Sequence, residues 1–382
     1  MRKQRVLLLS EGFGSGHTQA ARAIAAGIKQ LSPSVSSRIF ELGSFIRPRV
    51  MSWITDTYRN LVIKQPKLVG LLYKSHYKKS INKFGTLALH HILYTRTATV
   101  IKQLKPDLIV CTHPMPNAVI SRLKQNGLKT PLITVITDYD AHGTWIAPEV
   151  TTYQVSSRDV KDKLMSKGVP ANRILTTGIP VHPTFWTKGD RLTTLSAFKL
   201  RELPTVLIMG GGWGMSDPAI MDHIIRWREQ VQLIFICGSN EKVRLKLEND
   251  GRFQHENVRV LGFTKEISKW MDVADILITK PGGMTCTEGM AKGIPMLFYS
   301  PIPGQEDANC QYFINRQFAD SVQSTATIDK WFAHLANDYE GFVSHYAHLR
   351  ERSLYYQPDD CAKAIVEMLA ISKSTIPHQI VL

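Results

Sequence analysis

Long apolar runs are missing from this chain: no stretch approaches the roughly 18–20 residues of a membrane-crossing helix, so any bilayer contact is expected to be peripheral. Cysteine is sparse. The five residues Cys111, Cys237, Cys286, Cys310 and Cys361 form no CxxC pair and have no histidine at zinc spacing. This usage excludes a disulfide-stapled scaffold and fits a reducing compartment. The apolar run after the basic start, Val6–Leu9, is only four residues long. A secretory signal needs about 7–15, so a cytoplasmic protein is expected. Low-complexity blocks and short repeats are also missing. A content of 43% apolar and 21% charged residues, with 25 Gly and 19 Pro, describes an ordinary folded chain and not a disordered or collagen-like one. Its 382 residues suggest two core-bearing domains.

Acid is scarce in the first half. Residues 1–200 hold 10 Asp or Glu against 29 Lys or Arg, and residues 201–382 hold 22 against 18. The whole excess of +15 therefore sits in the first half. A one-sided basic field attracts phosphates, nucleic acid or an anionic lipid surface.

What is present reads as an alternation of strands and helices. Arg5–Ser10 is a short apolar run suited to a buried parallel strand. Three glycines follow, and then an alanine-rich helix over 18–31. Residues 38–42, 108–111 and 132–137 are further strand candidates. The opening recurs at 204–209, followed by Gly210-Gly211-Gly212-Trp213-Gly214, with strands expected at 233–237, 258–261, 276–279 and 296–299. This is a βαβ rhythm. It predicts an α/β protein of two Rossmann-like domains facing each other across a cleft. The expected boundaries are 1–185, a linker at 186–203, a second domain at 204–357, and a helix and tail at 358–382 that pack back on the first domain.

Between Phe45 and Tyr94 the rhythm stops. Nine basic residues, among them Arg47, Arg49, Arg59, Lys64, Lys67, Lys78 and Lys79, stand beside a single acid, Asp56. Seven aromatics, including Trp53 and Tyr73, are mixed in. Such a mixture at helical spacing suits an element lying in a membrane interface, where each cation adds about 1 kcal/mol on an anionic surface. Amphipathic helices with core-facing aromatics are the plain alternative. A nucleic-acid face would want aromatics on a strand platform or loop, and nothing in the segment reads as a strand, so no nucleic-acid partner is expected.

Two turns carry chemistry. Gly12-Phe-Gly-Ser-Gly16-His17 follows a strand and opens a helix, the setting in which backbone amides gather round an anion. A dinucleotide fingerprint would have Gly or Ala where His17 stands, although Glu41 after the second strand keeps that reading open. An imidazole at a helix N-terminus resists protonation, which makes His17 a candidate general base. In Lys280-Pro-Gly282-Gly283-Met284-Thr285-Cys-Thr-Glu288, a strand runs into a glycine turn and then a helix. Its amides suit a phosphate, and Glu288, one turn in, can accept both hydroxyls of a ribose. Such a set suits a nucleoside diphosphate. A third, polar turn holds Gln305, Glu306 and Asn309.

In this order, Gly12-x-Gly-x-Gly-His17, Thr137-Asp138 with His142 and Trp145, the Gly210–Gly214 loop, Cys237-Gly-x-Asn240 and Lys280-Pro-Gly-Gly-x-Thr-x-x-Glu288 resemble the monogalactosyldiacylglycerol synthases and the bacterial processive diacylglycerol glucosyltransferases. More distantly they resemble the peptidoglycan N-acetylglucosaminyltransferase. The resemblance implies a GT-B fold and inverting hexosyl transfer from a UDP-sugar to a lipid such as diacylglycerol, with neither a catalytic metal nor a cofactor. It implies His17 or Asp138 as base. Glu288 would take the ribose, Gly282–Thr285 and the Gly210–Gly214 loop, with Gly211, Gly212 and Gly214, would take the diphosphate, and Gly16 and Asn240 would also bind the donor. Phe263 would lie by the uracil, and Gln305, Glu306 and Asn309 by the hexose. The basic stripe, with His113 and Trp145, would meet the lipid acceptor and an anionic surface on the inner face of the cell membrane. Glu11, just before the glycine loop, departs from the smaller or amide residue expected there. A transferase for a soluble acceptor, a UDP-sugar 2-epimerase and a membrane-docking nucleotide-sugar sensor are the alternatives.

Overall fold

A computed structural model of the protein describes residues 3–64, 95–210, 218–304 and 306–374. Two compact units emerge. The first runs to Pro183 and takes up the chain again from Gln357, and the second holds Thr184–Ile302 and Glu306–Tyr356.

Each unit is built on a six-stranded, all-parallel sheet. In the first unit the strands are β1 (Arg5–Ser10), β2 (Ser36–Glu41), β3 (Leu108–Cys111), β4 (Leu132–Val135), β5 (Thr152–Val155) and β6 (Ile174–Thr176), in the order β2-β1-β3-β4-β5-β6. In the second they are β7 (Thr205–Met209), β8 (Gln232–Ile236), β9 (Val258–Leu261), β10 (Ile276–Thr279), β11 (Met296–Phe298) and β12 (Ala319–Ser321), in the order β12-β11-β10-β7-β8-β9. Burial on both faces explains the unbroken apolar runs: Val6, Leu7, Leu8, Leu9, Ile109, Val110, Leu207, Leu277 and Ile278 are all at most 2% exposed. Open parallel sheets take ligands at the carboxyl ends of their strands, where the strand order reverses. That point lies between β1 and β3 in one unit and between β7 and β10 in the other. Each glycine turn picked out in the sequence follows one of these strands.

Three helices of the first unit matter for the site: α1 (Ser15–Leu31), α2 (Leu42–Ile46) and α3 (Pro48–Lys64). The helix starts at Ser15, three residues before the expected position, so His17 lies inside its first turn.

The expected linker is corrected. Residues from Thr184 onward belong to the second unit, and Arg191–Ala197 is a helix. The Arg191 guanidinium pairs at 3.0 Å with buried Asp275, which also accepts from the Thr205 amide and the Tyr339 hydroxyl. The segment is held down by charge-assisted bonds to a partner far away in sequence. The helix Asp360–Ser374 packs in the first unit, where Cys361, Ile365 and Leu369 join Val6, Leu8, Ala21, Ile24 and Ile28 in one core. Gln4 donates to the Leu369 carbonyl at 2.8 Å.

Candidate functional site

In the first unit the carboxyl ends of β1, β3 and β4 bring a histidine cluster together. His17 sits at the start of α1, its Nδ1 2.8 Å from the Thr137 hydroxyl beyond β4. The Thr112 hydroxyl, just after β3, donates to the His17 carbonyl at 2.9 Å. The ring of His113 stands edge-to-face on His17, with centroids 4.8 Å apart, and Trp145 lies 6.0 Å away. Phe13 of the glycine loop stacks on His113 and meets Tyr58 of α3 edge-on. Burial pushes the His17 imidazole down to about 4, against a small opposing effect at Thr112. The dipole of the 17-residue helix disfavours a proton in the same direction. His17 is therefore neutral at neutral pH, with one nitrogen held and Nε2 left over.

Two residues expected at a lipid surface belong to this cluster. His113 caps the helix Pro114–Gln125, its Nδ1 accepting the Met115 amide at 3.1 Å, and its pKa is driven well down by burial and by the neighbouring His17 and His142. Trp145 is 0% exposed. It forms the floor of the cluster, and its indole nitrogen is buried without a partner. The sequence signal for His113 was its place, a histidine between a strand and a Pro-headed helix. Asp138 follows Thr137 and is half-buried, with its carbonyl accepting from Ser156 at 2.9 Å.

In the second unit β10 runs through Lys280-Pro281 into the helix Gly283–Lys292. Gly282 is its N-cap, and no side chain caps it. The amides of Gly283, Met284 and Thr285 thus lack intrahelical acceptors, and they point where an anion is stabilised. A Cβ at Gly282 would come within 4.0 Å only of Glu306 Oε1. One turn in, the Glu288 carboxyl is half-buried with no recorded hydrogen-bond partner among the described residues, and burial raises it to about 8. Phe263, at the end of β9, is 67% exposed.

Other expected donor contacts are engaged within the fold. Asn240 caps the helix Glu241–Glu248 through its side-chain oxygen. Glu306 accepts from the Ile302 amide at 2.8 Å. Asn309 is 1% exposed. Gly16 lies within the first turn of α1, in the unit opposite in chain order to the donor turn. Gly211, Gly212, Gly214 and Gln305 lie outside the described residues. Among the described residues, no group of three or more His, Cys, Asp or Glu is placed to hold a metal ion.

The junction of α2 and α3 presents Phe45, Arg47, Arg49, Val50 and Trp53 to solvent, Trp53 being 70% exposed. The side chains of Arg59 and Lys64, and all of Lys67, Tyr73, Lys78 and Lys79, lie outside the described residues. No described helix is long and apolar enough to cross a membrane.

Residues 17–181 match the model of the monogalactosyldiacylglycerol (MGDG) synthase family, and residues 205–330 that of the glycosyltransferase family 28 C-terminal domain. The chain is 30% identical over 319 residues to a processive diacylglycerol beta-glucosyltransferase of Staphylococcus haemolyticus (strain JCSC1435), covering 82% of this chain and 80% of that one. It is 29% identical over 383 residues to a protein of the same name from Staphylococcus aureus (strain Newman), covering 99% and 95%. Among solved structures, Acinetobacter baumannii MurG matches with a TM-score of 0.58 at 14% identity (96% of this chain, 99% of that one). Anabaena Alr3699/HepE in complex with UDP-glucose gives 0.57 at 13% (97% and 100%). A UDP-GlcNAc 2-epimerase from Neisseria meningitidis bound to UDP-GlcNAc gives 0.58 at 15% (96% and 100%). A transferase and an epimerase fit equally well, so these likenesses show the GT-B frame and leave the reaction to the sequence relatives.

Proposed function

The chain belongs to the family of monogalactosyldiacylglycerol synthases and processive diacylglycerol glucosyltransferases and is a hexosyltransferase, and from that premise we propose that it moves a hexose from a UDP-sugar to diacylglycerol with inversion and without a catalytic metal. The observation that carries the donor half is the uncapped N-terminus of the helix Gly283–Lys292 with the Glu288 carboxyl, unpartnered among the described residues, one turn behind it. The amides meet the diphosphate, the carboxylate takes the ribose hydroxyls, and Phe263 offers an exposed ring to the base.

The first unit supplies the acceptor side. With Nδ1–H donated to Thr137, the His17 Nε2 carries a lone pair and takes the proton of the acceptor hydroxyl. The oxygen forms its bond to the anomeric carbon as the bond to UDP breaks, a single displacement that inverts the centre. Charge grows on the departing diphosphate, where fixed amide dipoles stabilise it. The relatives' printed names supply diacylglycerol as the acceptor. The exposed Arg47, Arg49 and Trp53 support a reading in which the enzyme meets an anionic bilayer at the inner face of the cell membrane. Labelled UDP-glucose and UDP-galactose, each incubated with the protein, diacylglycerol vesicles and EDTA, test this reading. Label should enter the lipid phase from one of them. Transfer that needs an added divalent ion, or none to lipid at all, would overturn it.

A further inference from the structure

Glu11 follows β1 where a small or amide residue was expected, and it is 0% exposed. One carboxyl oxygen, Oε1, accepts the amide of Gly43 in the first turn of α2. The other, Oε2, is buried with no partner. Across the glycine loop stands Glu41, the last residue of β2, paired in register with Ser10. Its Oε1 accepts from the Thr18 hydroxyl at 2.8 Å, and its Oε2 lies against Gly12, where a Cβ would come within 3.3 Å. Two carboxyl groups thus bracket the loop that ends in His17: one is tied to α2, the other to the residue after His17.

We propose that Glu11 keeps a proton and, with Glu41 across the loop, acts as a positioning residue for the glycine loop, an inference that rests on His17 being the base of the reaction. An ionised Glu11 would leave a buried charge with only the Gly43 and Gly12 amides for compensation and a second carboxylate nearby, an arrangement that proteins avoid by keeping a proton. A protonated Glu11 has a donor at the atom that otherwise lacks a partner. Burial is the main cause raising this carboxyl to about 8, with the charge of Glu41 adding to it against the Gly43 and Gly12 amides. The elements packed here also carry His17 on α1, Cys111 at the end of β3 and His113 beyond it, whereas α2 has no titratable side chain. Of these groups Glu41 is the one whose charge bears on Glu11. The proton on Glu11 lets β1, β2 and α2 stay together beneath the loop. Its loss sets two charges against each other there and loosens the seat of His17.

Three variants of the full-length protein test this: Glu11→Gln, which keeps an acceptor for Gly43 and a permanent donor, Glu11→Leu, which keeps neither, and Glu41→Gln, should the leucine variant not fold. Infrared difference spectra between pH 6.5 and 9.5 read the carboxylic-acid carbonyl band directly and need no substrate. The wild type should lose the bands of two carboxyls on alkalinisation, Glu11 and Glu288, and Glu11→Gln only that of Glu288. In the transfer assay, the wild-type kcat should fall above about pH 8, and Glu11→Gln should move that fall to higher pH. Glu11→Leu should lower kcat on the order of 10²-fold, as misplacing a catalytic group does, with UDP affinity held. An alkaline band loss of equal size in wild type and Glu11→Gln, or identical alkaline limbs in the two, would overturn the proposal. A band loss that depends on Glu11 without any lipid product would overturn the functional reading and leave the protonated Glu11 standing.

Discussion

At the scale of single residues, the chemistry rests on groups whose protonation is set by burial. His17 is held to about 4, so it stays a free base through the neutral range. As base it must be unprotonated, and kcat/KM should therefore fall only as pH drops through about 4, well below the ordinary histidine value. Native stability has the same sign: from 6.5 down toward 4 the unfolded state takes up a proton that the folded state refuses, and stability declines. Replacement of His17 by Ala should cut turnover by roughly 10²–10⁴-fold while calorimetric UDP affinity stays near that of the wild type. Unchanged turnover would pass the role to Asp138. Glu288 behaves oppositely. At about 8 it keeps its proton at pH 7 in the free protein, and a ribose held by both hydroxyls favours the carboxylate. UDP binding at pH 7 should then release a proton, read as a buffer-dependent binding enthalpy, and Glu288→Gln should bind more weakly with no release. Buffer-independent enthalpy and equal affinity in the variant would remove Glu288 from the ribose site. The places of His17 and Glu288 were legible in the sequence because glycine turns at strand ends announce themselves. The burial of Trp145 and Asn309 was not, because motif position does not reveal that a side chain faces inward.

At the scale of elements, apolar runs located most strands, and the failures have a common cause. β5 and β6 went unread because Thr-Tyr-Gln-Val and Ile-Leu-Thr are short and partly polar. Gln154 is nevertheless 0% exposed, since the Cys361 thiol, 207 residues away, reaches its side-chain oxygen at 2.8 Å. β12, Ala-Asp-Ser, has no hydrophobic signal and is a strand because β11 pairs with it. The linker was misjudged for the same reason: Arg191 looks like surface charge until Asp275 is folded beside it. In the junction of α2 and α3, by contrast, composition and exposure agree. Reversing Arg47 and Arg49 to Glu should reduce co-flotation with anionic vesicles, at about 1 kcal/mol for each cation removed, and leave UDP binding intact. Flotation equal to wild type would place the lipid contact elsewhere.

At the scale of the whole molecule, two parallel sheets divide the labour by charge and by backbone. The first 200 residues carry the basic excess and the histidine cluster, and the second unit carries the uncapped helix N-terminus and the Glu288 carboxyl on which the proposed donor site rests. Twofold recurrence of strand, glycine turn and helix made the frame readable, because parallel strands buried on both faces need short unbroken apolar runs and helical crossovers. Acceptor choice was not readable in the same way, since it depends on which side chains meet after folding, as His113 and His17 do. The most direct measurement is a crystal structure of the protein grown with UDP and EDTA. The diphosphate should lie on the amides of Gly283–Thr285, with the ribose hydroxyls on Glu288. Nucleotide density away from the carboxyl ends of β7 and β10 would contradict the account.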